Sequence, residues 1–196
     1  MTQYTIKDDT IEFDSTFDEP LNDEIIQEMK KCKKIIFGYN FNKRIDNLPN
    51  NITHIQFSRE FNQPIDNLPN SLLYLELGPK FNQPINMLPN SIITLKFQYY
   101  FNQPIDNLPN SIKELQLSHC FNQPINNLPN SLVMLTFGTF FNQPIDNLPD
   151  SITHLTLGQG FNQKINKLPI SLKELYYDMN KKIDITAFLQ GDIIQI

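Results

Sequence analysis

The sequence predicts a repeat solenoid with a parallel β-sheet along one side, and two observations support this prediction. Phe recurs every twenty residues, as Phe41, Phe61, Phe81, Phe101, Phe121, Phe141 and Phe161. A period of about 20 to 50 residues is typical of stacked repeats, in which each unit contacts only its neighbours. Counted from each Phe as position 1, apolar residues at positions 15 and 17 alternate with variable ones, which indicates a half-buried strand. Equivalent strands of successive coils should therefore run parallel and in register.

The apolar positions of the unit predict both its core and its strands. Positions 1, 5, 8, 12, 15 and 17 are apolar in every copy and form the predicted core. The strands are predicted at residues 54–57, 74–77, 94–97, 114–117, 134–137, 154–157 and 174–177. The connecting segment, FNQPIDNLPNS in the copy that starts at Phe61, cannot be regular helix because Pro occupies positions 4 and 9. We expect turns or extended chain there, on the side opposite the sheet.

Two invariant columns are predicted to be structural. Stacked Phe side chains at position 1 should form an aromatic spine with offset or edge contacts. Position 2 carries a polar residue beside the core in every unit, namely Asn42, Asn62, Asn82, Asn102, Asn122, Asn142 and Asn162. We expect these amides to form a ladder that satisfies backbone groups left unpaired by a non-helical turn.

Both ends of the chain are predicted to be caps. Residues 1–40 contain a degenerate repeat, whose apolar pattern recurs after 24 residues, so that Ile11 corresponds to Ile35. The four extra residues give room for a short helix capped by Asn22, with Lys30 and Lys31 at its C-terminal end. Residues 41–180 hold seven full repeats. In residues 181–196 the pattern decays, and we predict a second cap there.

Composition excludes several classes of partner and compartment. The net charge of −5 argues against binding to nucleic acid or to anionic membrane surfaces. The sequence contains no basic, apolar signal peptide and no apolar stretch of about 20 residues, so we expect the protein to stay in the cytoplasm. Cys32 and Cys120 lie at least four coils apart, about 20 Å at the sheet spacing, which is too far for a disulfide.

No catalytic or metal-binding motif stands out, and the candidate pairs are weak. His54 and His154 lie five coils apart, roughly 24 Å, so they cannot share a metal. Glu76 and Glu114 would lie on one surface and could be imagined as an acid and base pair, but solvated charges are far commoner on an open sheet. His119 adjoins Cys120 without an acid to orient it. We expect no enzymatic activity, no cofactor and no metal.

Exposed positions that vary from coil to coil on a rigid scaffold are the predicted partner-binding residues. They are His54, Tyr74, Glu76, Lys96, Glu114, Gln116, Met134 and His154 on the strand face, with Tyr99, Tyr100, His119 and Phe140 beyond the strand ends. Exposed aromatic side chains in a cluster are typical of interaction hot spots. In the alternative arrangement, Phe140 and one Tyr pack beneath the next coil and support the Phe spine. The sequence leaves both arrangements open.

The repeat resembles two known families. L-x-x-L-x-L at positions 12, 15 and 17, with Leu-Pro at positions 8 and 9, resembles leucine-rich repeats, although Asn follows the last strand position by five residues instead of three. The F-N-Q-P-I signature is similar to the FNIP repeat of slime-mould and giant-virus proteins, over residues 41–180. The invariant core and the variable face predict a non-enzymatic scaffold that presents its strand face to a protein partner, in the host cytoplasm if the protein is viral. We expect a monomer, with a dimer possible.

Two other functions stay open. The protein could be a structural or self-associating protein that pairs through its aromatic residues or a sheet edge. Giant-virus FNIP proteins often carry an N-terminal F-box that recruits a ubiquitin ligase, so the resemblance also allows a substrate-recognition adaptor. Only 40 residues precede the first full repeat, and they are assigned to a cap, so such an adaptor would lack its own F-box.

Overall fold

Ten strands and one helix form in the part of the chain that the computed structural model describes, residues 3–178. They are β1 Tyr4–Lys7, β2 Thr10–Phe13, α1 Asp23–Met29, β3 Lys34–Ile36, β4 His54–Gln56, β5 Tyr74–Leu77, β6 Thr94–Phe97, β7 Glu114–Gln116, β8 Met134–Thr136, β9 His154–Thr156 and β10 Glu174–Tyr176. Turns and extended chain connect the strands. The predicted C-terminal cap, residues 181–196, lies outside the described residues.

The strands form one sheet in chain order, and β2 to β10 run parallel. From β3 onward each strand residue pairs with the residue twenty positions later, for example Leu75 with Leu95. Between β2 and β3 the shift is 24 residues, and Ile11 pairs with Ile35 as the sequence predicts. The predicted parallel, in-register solenoid is confirmed.

The strand β1 was not predicted, and it is the exception to the parallel order. It pairs with β2 in the antiparallel direction, with Ile6 opposite Ile11. The reversal passes through Asp8, whose φ of 53° lies in the left-handed region that tight hairpin turns require. Asp8-Asp9 lacks the Asn-Gly or Asp-Gly signal of such turns, which explains why sequence patterns miss it.

Strand lengths differ slightly from the prediction. β5 and β6 span the four predicted residues, whereas the other five repeat strands end one residue earlier. Phe57, beyond the end of β4, still donates its backbone N–H to the Glu76 carbonyl at 2.9 Å. The difference therefore concerns where regular pairing stops, and not the register.

The predicted core positions are buried in all seven repeats, except that Leu172 is only partly buried. The spine continues N-terminally to Phe17, which stacks on Phe41 at 5.7 Å between ring centroids. The rings of Phe41 and Phe61 lie 6.1 Å apart and within 4° of parallel. A second set of rings, at position 17, packs against this spine, as Phe57 does on Phe61 at 3.7 Å. The aromatic core is thus continuous from coil to coil.

The Asn column forms a ladder of hydrogen bonds between coils. The backbone N–H of Asn122 donates to Oδ1 of Asn102 at 2.9 Å, and the other rungs have the same length. The first rung is Asp18, whose carboxylate accepts from the Asn42 N–H at 2.8 Å and from Lys43 Nζ at 2.7 Å. The Lys43 hydrogen bond, the largest influence, holds the pKa of Asp18 below its usual value.

The helix α1 covers the first coil, and different residues satisfy the backbone hydrogen-bonding groups at its two ends. Asn22 caps the N-terminus as predicted, since its side chain accepts from the Ile25 N–H at 2.9 Å. Lys30 and Lys31 lie at the C-terminal end as predicted, because Lys30 is the C-cap residue and Lys31 follows it, although the last turn itself contains no basic side chain. Asn51 Nδ2 donates to the Lys30 carbonyl there at 3.1 Å. Lys31 pairs with Glu28 on the helix surface.

Candidate interaction surface

The outer face of the sheet carries two columns of variable side chains. Alternation along each strand buries positions 15 and 17 and leaves positions 14 and 16 at least partly accessible. The parallel register stacks equivalent positions of successive coils about 4.8 Å apart. The structure brings all eight predicted strand-face residues onto this face, with His54, Tyr74, Glu114, Met134 and His154 in the first column and Glu76, Lys96 and Gln116 in the second.

Five of these residues form one connected group, the strand-face cluster: His54, Tyr74, Glu76, Lys96 and Glu114. The rings of His54 and Tyr74 stack at 5.7 Å, and Lys96 Nζ lies 5.9 Å from the Tyr74 ring centroid. The Tyr74 hydroxyl donates to Glu76 Oε2 at 2.7 Å. Lys96 Nζ lies 2.8 Å from Glu114 Oε1. The cluster therefore spans four strands, from β4 to β7.

Contacts within the strand-face cluster set its charges. Burial, and then the hydrogen bond to Glu76, raise the pKa of the Tyr74 hydroxyl, so Tyr74 stays a neutral donor. Burial also lowers the pKa of His54, which favours the uncharged ring. Glu76 accepts a second hydrogen bond, from Gln98 Nε2 at 2.8 Å. With Glu76 bound to Tyr74 and Glu114 bound to Lys96, the two carboxylates do not pair with each other.

A second polar group lies at the other end of the face. His154 Nε2 lies 3.5 Å from Glu174 Oε1, and the Tyr176 hydroxyl donates to Glu174 Oε2 at 2.8 Å. The exposed Gln116 and Met134 separate this group from the strand-face cluster. His54 and His154 thus belong to different local environments on one continuous surface.

The aromatic residues beyond the strand ends form a second surface, which we call the aromatic patch: Tyr99, Tyr100, His119 and Phe140. Tyr99 stacks on His119 at 5.2 Å and meets Tyr100 edge to face at 4.6 Å. Tyr100 is 54% exposed and Phe140 is 58% exposed. The alternative in which Phe140 and a Tyr pack beneath the next coil is therefore wrong.

The pair His119 and Cys120 does not form a nucleophilic site. His119 Nδ1 lies 2.8 Å from Thr139 Oγ1, and the ring stacks on Tyr99. Cys120 is a half-buried free thiol, while Cys32 is buried and also free. The contacts of His119 thus belong to the aromatic patch.

A shallow groove of about 270 Å³ separates the two surfaces at the C-terminal ends of β7 to β9. Its strand side includes Gln116, Thr136 and Thr156, its turn side His119, Thr139 and Gln159, and its floor Gly138 and Gly158. A Cβ on Gly138 would lie 1.9 Å from the Ser118 carbonyl oxygen, so the coils can approach closely only because no side chain is present. Sequence reasoning missed the groove, although consecutive coils with Gly at position 18 were its signal.

Residues 3–178 contain neither a cluster of metal ligands nor a helix that could span a membrane. In this range no three His, Cys, Asp or Glu residues are grouped so that they could hold a metal ion. The helix in this range is too short and too polar to cross a membrane.

Comparisons with known proteins agree with this geometry. The sequence model of the FNIP Repeat matches residues 44–80, 61–100, 81–120, 101–140 and 141–185. Among solved structures, the chain is similar to CroV588, a giant-virus protein described as a novel circular LRR protein structure, with a TM-score of 0.66 and 33% identity. The similarity covers 94% of this chain but only 36% of CroV588. No curated protein matches the chain.

Proposed function

The chain belongs to the FNIP repeat family, and from that premise we propose that it is a non-enzymatic scaffold that binds a protein partner through its strand face. The proposal rests above all on one observation: positions 14 and 16 differ in chemical type from coil to coil, on strands that share one register and keep their buried positions apolar. Packing of the core explains why the buried positions stay apolar. The side chains at positions 14 and 16 point away from the core, so they can vary without disturbing it and can serve to recognise a partner.

The strand-face cluster supports the proposal because it is already ordered. Tyr74, Lys96 and Glu114 hold one another through the ring contact and the ion pair described above. Side chains that are fixed before binding avoid about 0.5–1.5 kcal/mol each of ordering cost. The cluster offers a partner an aromatic ring, a cation and carboxylates within four neighbouring strands. Such a mixture suits a polar protein surface better than a small ligand, which usually takes an apolar pocket.

The contacts of Glu76, Glu114 and His119 do not favour catalysis by these residues. Glu76 and Glu114 are each engaged by other side chains, and His119 lies against Tyr99 and Thr139. None of these contacts joins a nucleophile to a base that a third group orients, which is the arrangement that covalent catalysis needs.

A capture experiment with matched variants tests the proposal. Tagged wild type and a triple variant, Tyr74→Ala with Glu114→Ala and Met134→Ala, are used to recover proteins from host-cell lysate. The control variant replaces Asn70, Asn90 and Asn110 by Ala, because these three are exposed in the turns of the same stretch of coils. Circular dichroism of each variant verifies the fold. Proteins that the wild type and the control recover should fall by at least about tenfold with the triple variant, since hot-spot residues each cost about 2 kcal/mol or more.

The result that contradicts strand-face binding is equally specific. If the triple variant recovers the same proteins in the same amounts as the wild type, the face does not bind them. If the control loses them as well, the contact lies in the turns and the strand face again has no special role.

A further inference from the structure

The turns that follow β6 to β9 form a surface without formal charge. Asp, Glu, Lys and Arg are absent from residues 97–105, 117–125, 137–145 and 157–163, although they make up 19% of the chain. The corresponding turns of earlier coils are charged and carry Lys43, Arg44, Arg59, Glu60 and Lys80. We call these four stretches the uncharged turn surface. It contains the whole aromatic patch.

Large aromatic groups lie open to solvent on this surface. Tyr99, Tyr100 and Phe140 are all more than two-fifths exposed. Absence of charge together with exposed aromatic rings is the composition found at the centre of protein interfaces. A monomeric protein gains nothing in stability from leaving such rings in water.

We propose that the uncharged turn surface pairs with the same surface of a second copy of this chain, in a two-fold symmetric dimer. In such a contact the same patch meets itself, so residues near the axis face their own copies and like charges there would repel one another. A chain with a net charge of −5 therefore pairs with itself most readily where formal charge is missing. The strand face, with Glu76, Lys96 and Glu114, does not meet this condition.

The geometry places the two-fold axis near Cys120. Residues 100, 120 and 140 occupy position 20 of successive coils, so Cys120 lies between Tyr100 and Phe140. The N–H of Cys120 donates to the Tyr99 carbonyl, and that of Phe140 to the His119 carbonyl, both at 2.9 Å. These bonds hold the three coils in register and present the patch as a rigid surface. Tyr100 of one copy can then lie against Phe140 of the other.

The size of the surface predicts a weak, reversible dimer. The three coils of Tyr100, Cys120 and Phe140, at about 4.8 Å spacing, give roughly 14 Å along the solenoid axis, and an uncharged stretch of nine residues spans at most roughly 30 Å across it. The contact then covers about 400 Å² per protomer, roughly half of the ~800 Å² per partner in a standard interface. Interfaces of this size are transient, with dissociation constants of roughly 1 µM to 1 mM. The proposed dimer leaves the strand face free and does not depend on the proposed function.

Sedimentation equilibrium over about 10 µM to 1 mM protein tests the dimer. The mass of the wild type should rise from 22.9 kDa toward twice that value as concentration increases. The double variant Tyr100→Lys with Phe140→Lys places like charges on both sides of the two-fold axis, so its mass should stay at 22.9 kDa. Tyr100→Lys alone should weaken association at least about tenfold. The control is Met87→Lys, because Met87 is 66% exposed in a different turn and should not affect the dimer.

Crosslinking gives an independent readout. A short bismaleimide should link two copies of the wild type through Cys120, and Cys120→Ser should abolish the link, since Cys32 is buried. The dimer is refuted if the wild type stays monomeric at about 1 mM. It is also refuted if the double lysine variant associates like the wild type, or if Met87→Lys weakens association equally. The strand-face triple variant should still dimerise, so failure of one proposal leaves the other standing.

Discussion

The Asn ladder permits a sharp test, because one substitution removes a rung and a second restores the acceptor. Asn102 Oδ1 accepts the Asn122 N–H at 2.9 Å. Asn102→Ala removes that acceptor and leaves the N–H to water. A buried donor without a partner costs about 1–3 kcal/mol, and because Asn122 is solvent-accessible we expect the low end, about 1 kcal/mol. Asn102→Asp keeps the Oδ1 acceptor, as Asp18 does at the first rung, and should recover most of the loss.

Two measurements on the same variants decide the result. Chemical denaturation gives the free energy of unfolding, and amide hydrogen exchange reports on the Asn122 N–H itself. In Asn102→Ala this proton should exchange about fivefold faster, since about 1.4 kcal/mol corresponds to a factor of ten and about 1 kcal/mol to a factor of about five. The Asn162 N–H, whose acceptor is Asn142, is the internal control and should not change. Unchanged exchange at Asn122, or an Asp variant as unstable as the Ala variant, would refute a structural role for this column.

Three further predictions concern packing and charge. Gly78→Ala places a Cβ 1.7 Å from the Ser58 carbonyl oxygen. The free energy of unfolding, measured by urea denaturation, should fall by about 1–3 kcal/mol or more. The control, Ser58→Ala, should change it by less than about 0.5 kcal/mol. Phe101→Ala should lower the free energy of unfolding by about 3–5 kcal/mol in the same assay, because Phe101 is buried in the spine. A loss below about 1 kcal/mol would contradict a packed spine. The hydrogen bond from Lys43 holds the pKa of Asp18 in the folded state below its usual value, so the stabilising effect of Asp18 is fully present above the unfolded-state pKa and is lost as pH falls through the folded-state pKa. Asp18→Asn keeps an acceptor without the charge, and the loss of stability during acid titration should become smaller than in the wild type.

Periodicity predicts most of this fold, because each buried position is constrained by the same position of two neighbouring coils. A strand cannot slip by one residue without turning Leu75 and Leu77 outward, so the twenty-residue repeat also determines the register. The same reasoning succeeds in the degenerate first coil. There the apolar pattern alone predicts the shift of 24 residues that pairs Ile11 with Ile35.

Features that occur once in the chain could not be predicted in this way. The hairpin at Asp8 has no second copy for comparison. Asn51 occupies the position that is Ser in all six other repeats, and the donation of its amide to carbonyls at the end of α1 depends on how the helix packs. The ion pair of Asp18 and Lys43 had a weak signal, because Lys43 replaces the Gln that other repeats carry at this position.

The direction of the side chains at positions 19 and 20 also required coordinates. These positions lie after the strand alternation ends, and periodicities of 2 and 3.6 residues apply only within strands and helices. The pattern therefore could not decide whether Phe140 packs inward or lies open, and its 58% exposure decides the question.

Stability and recognition are separable in this architecture, and the separation has a measurable consequence. The buried columns and the Asn ladder are each completed by neighbouring coils, so a substitution such as Phe101→Ala removes contacts in two directions. A strand-face residue such as Glu114 contributes mainly a part-exposed ion pair with Lys96, and exposed pairs contribute about 0–1 kcal/mol. Replacing Glu114 should therefore change binding far more than stability, and Phe101→Ala, with its cost of about 3–5 kcal/mol, should do the reverse. If both substitutions lowered stability equally, the strand face would be part of the scaffold and could not vary freely for recognition.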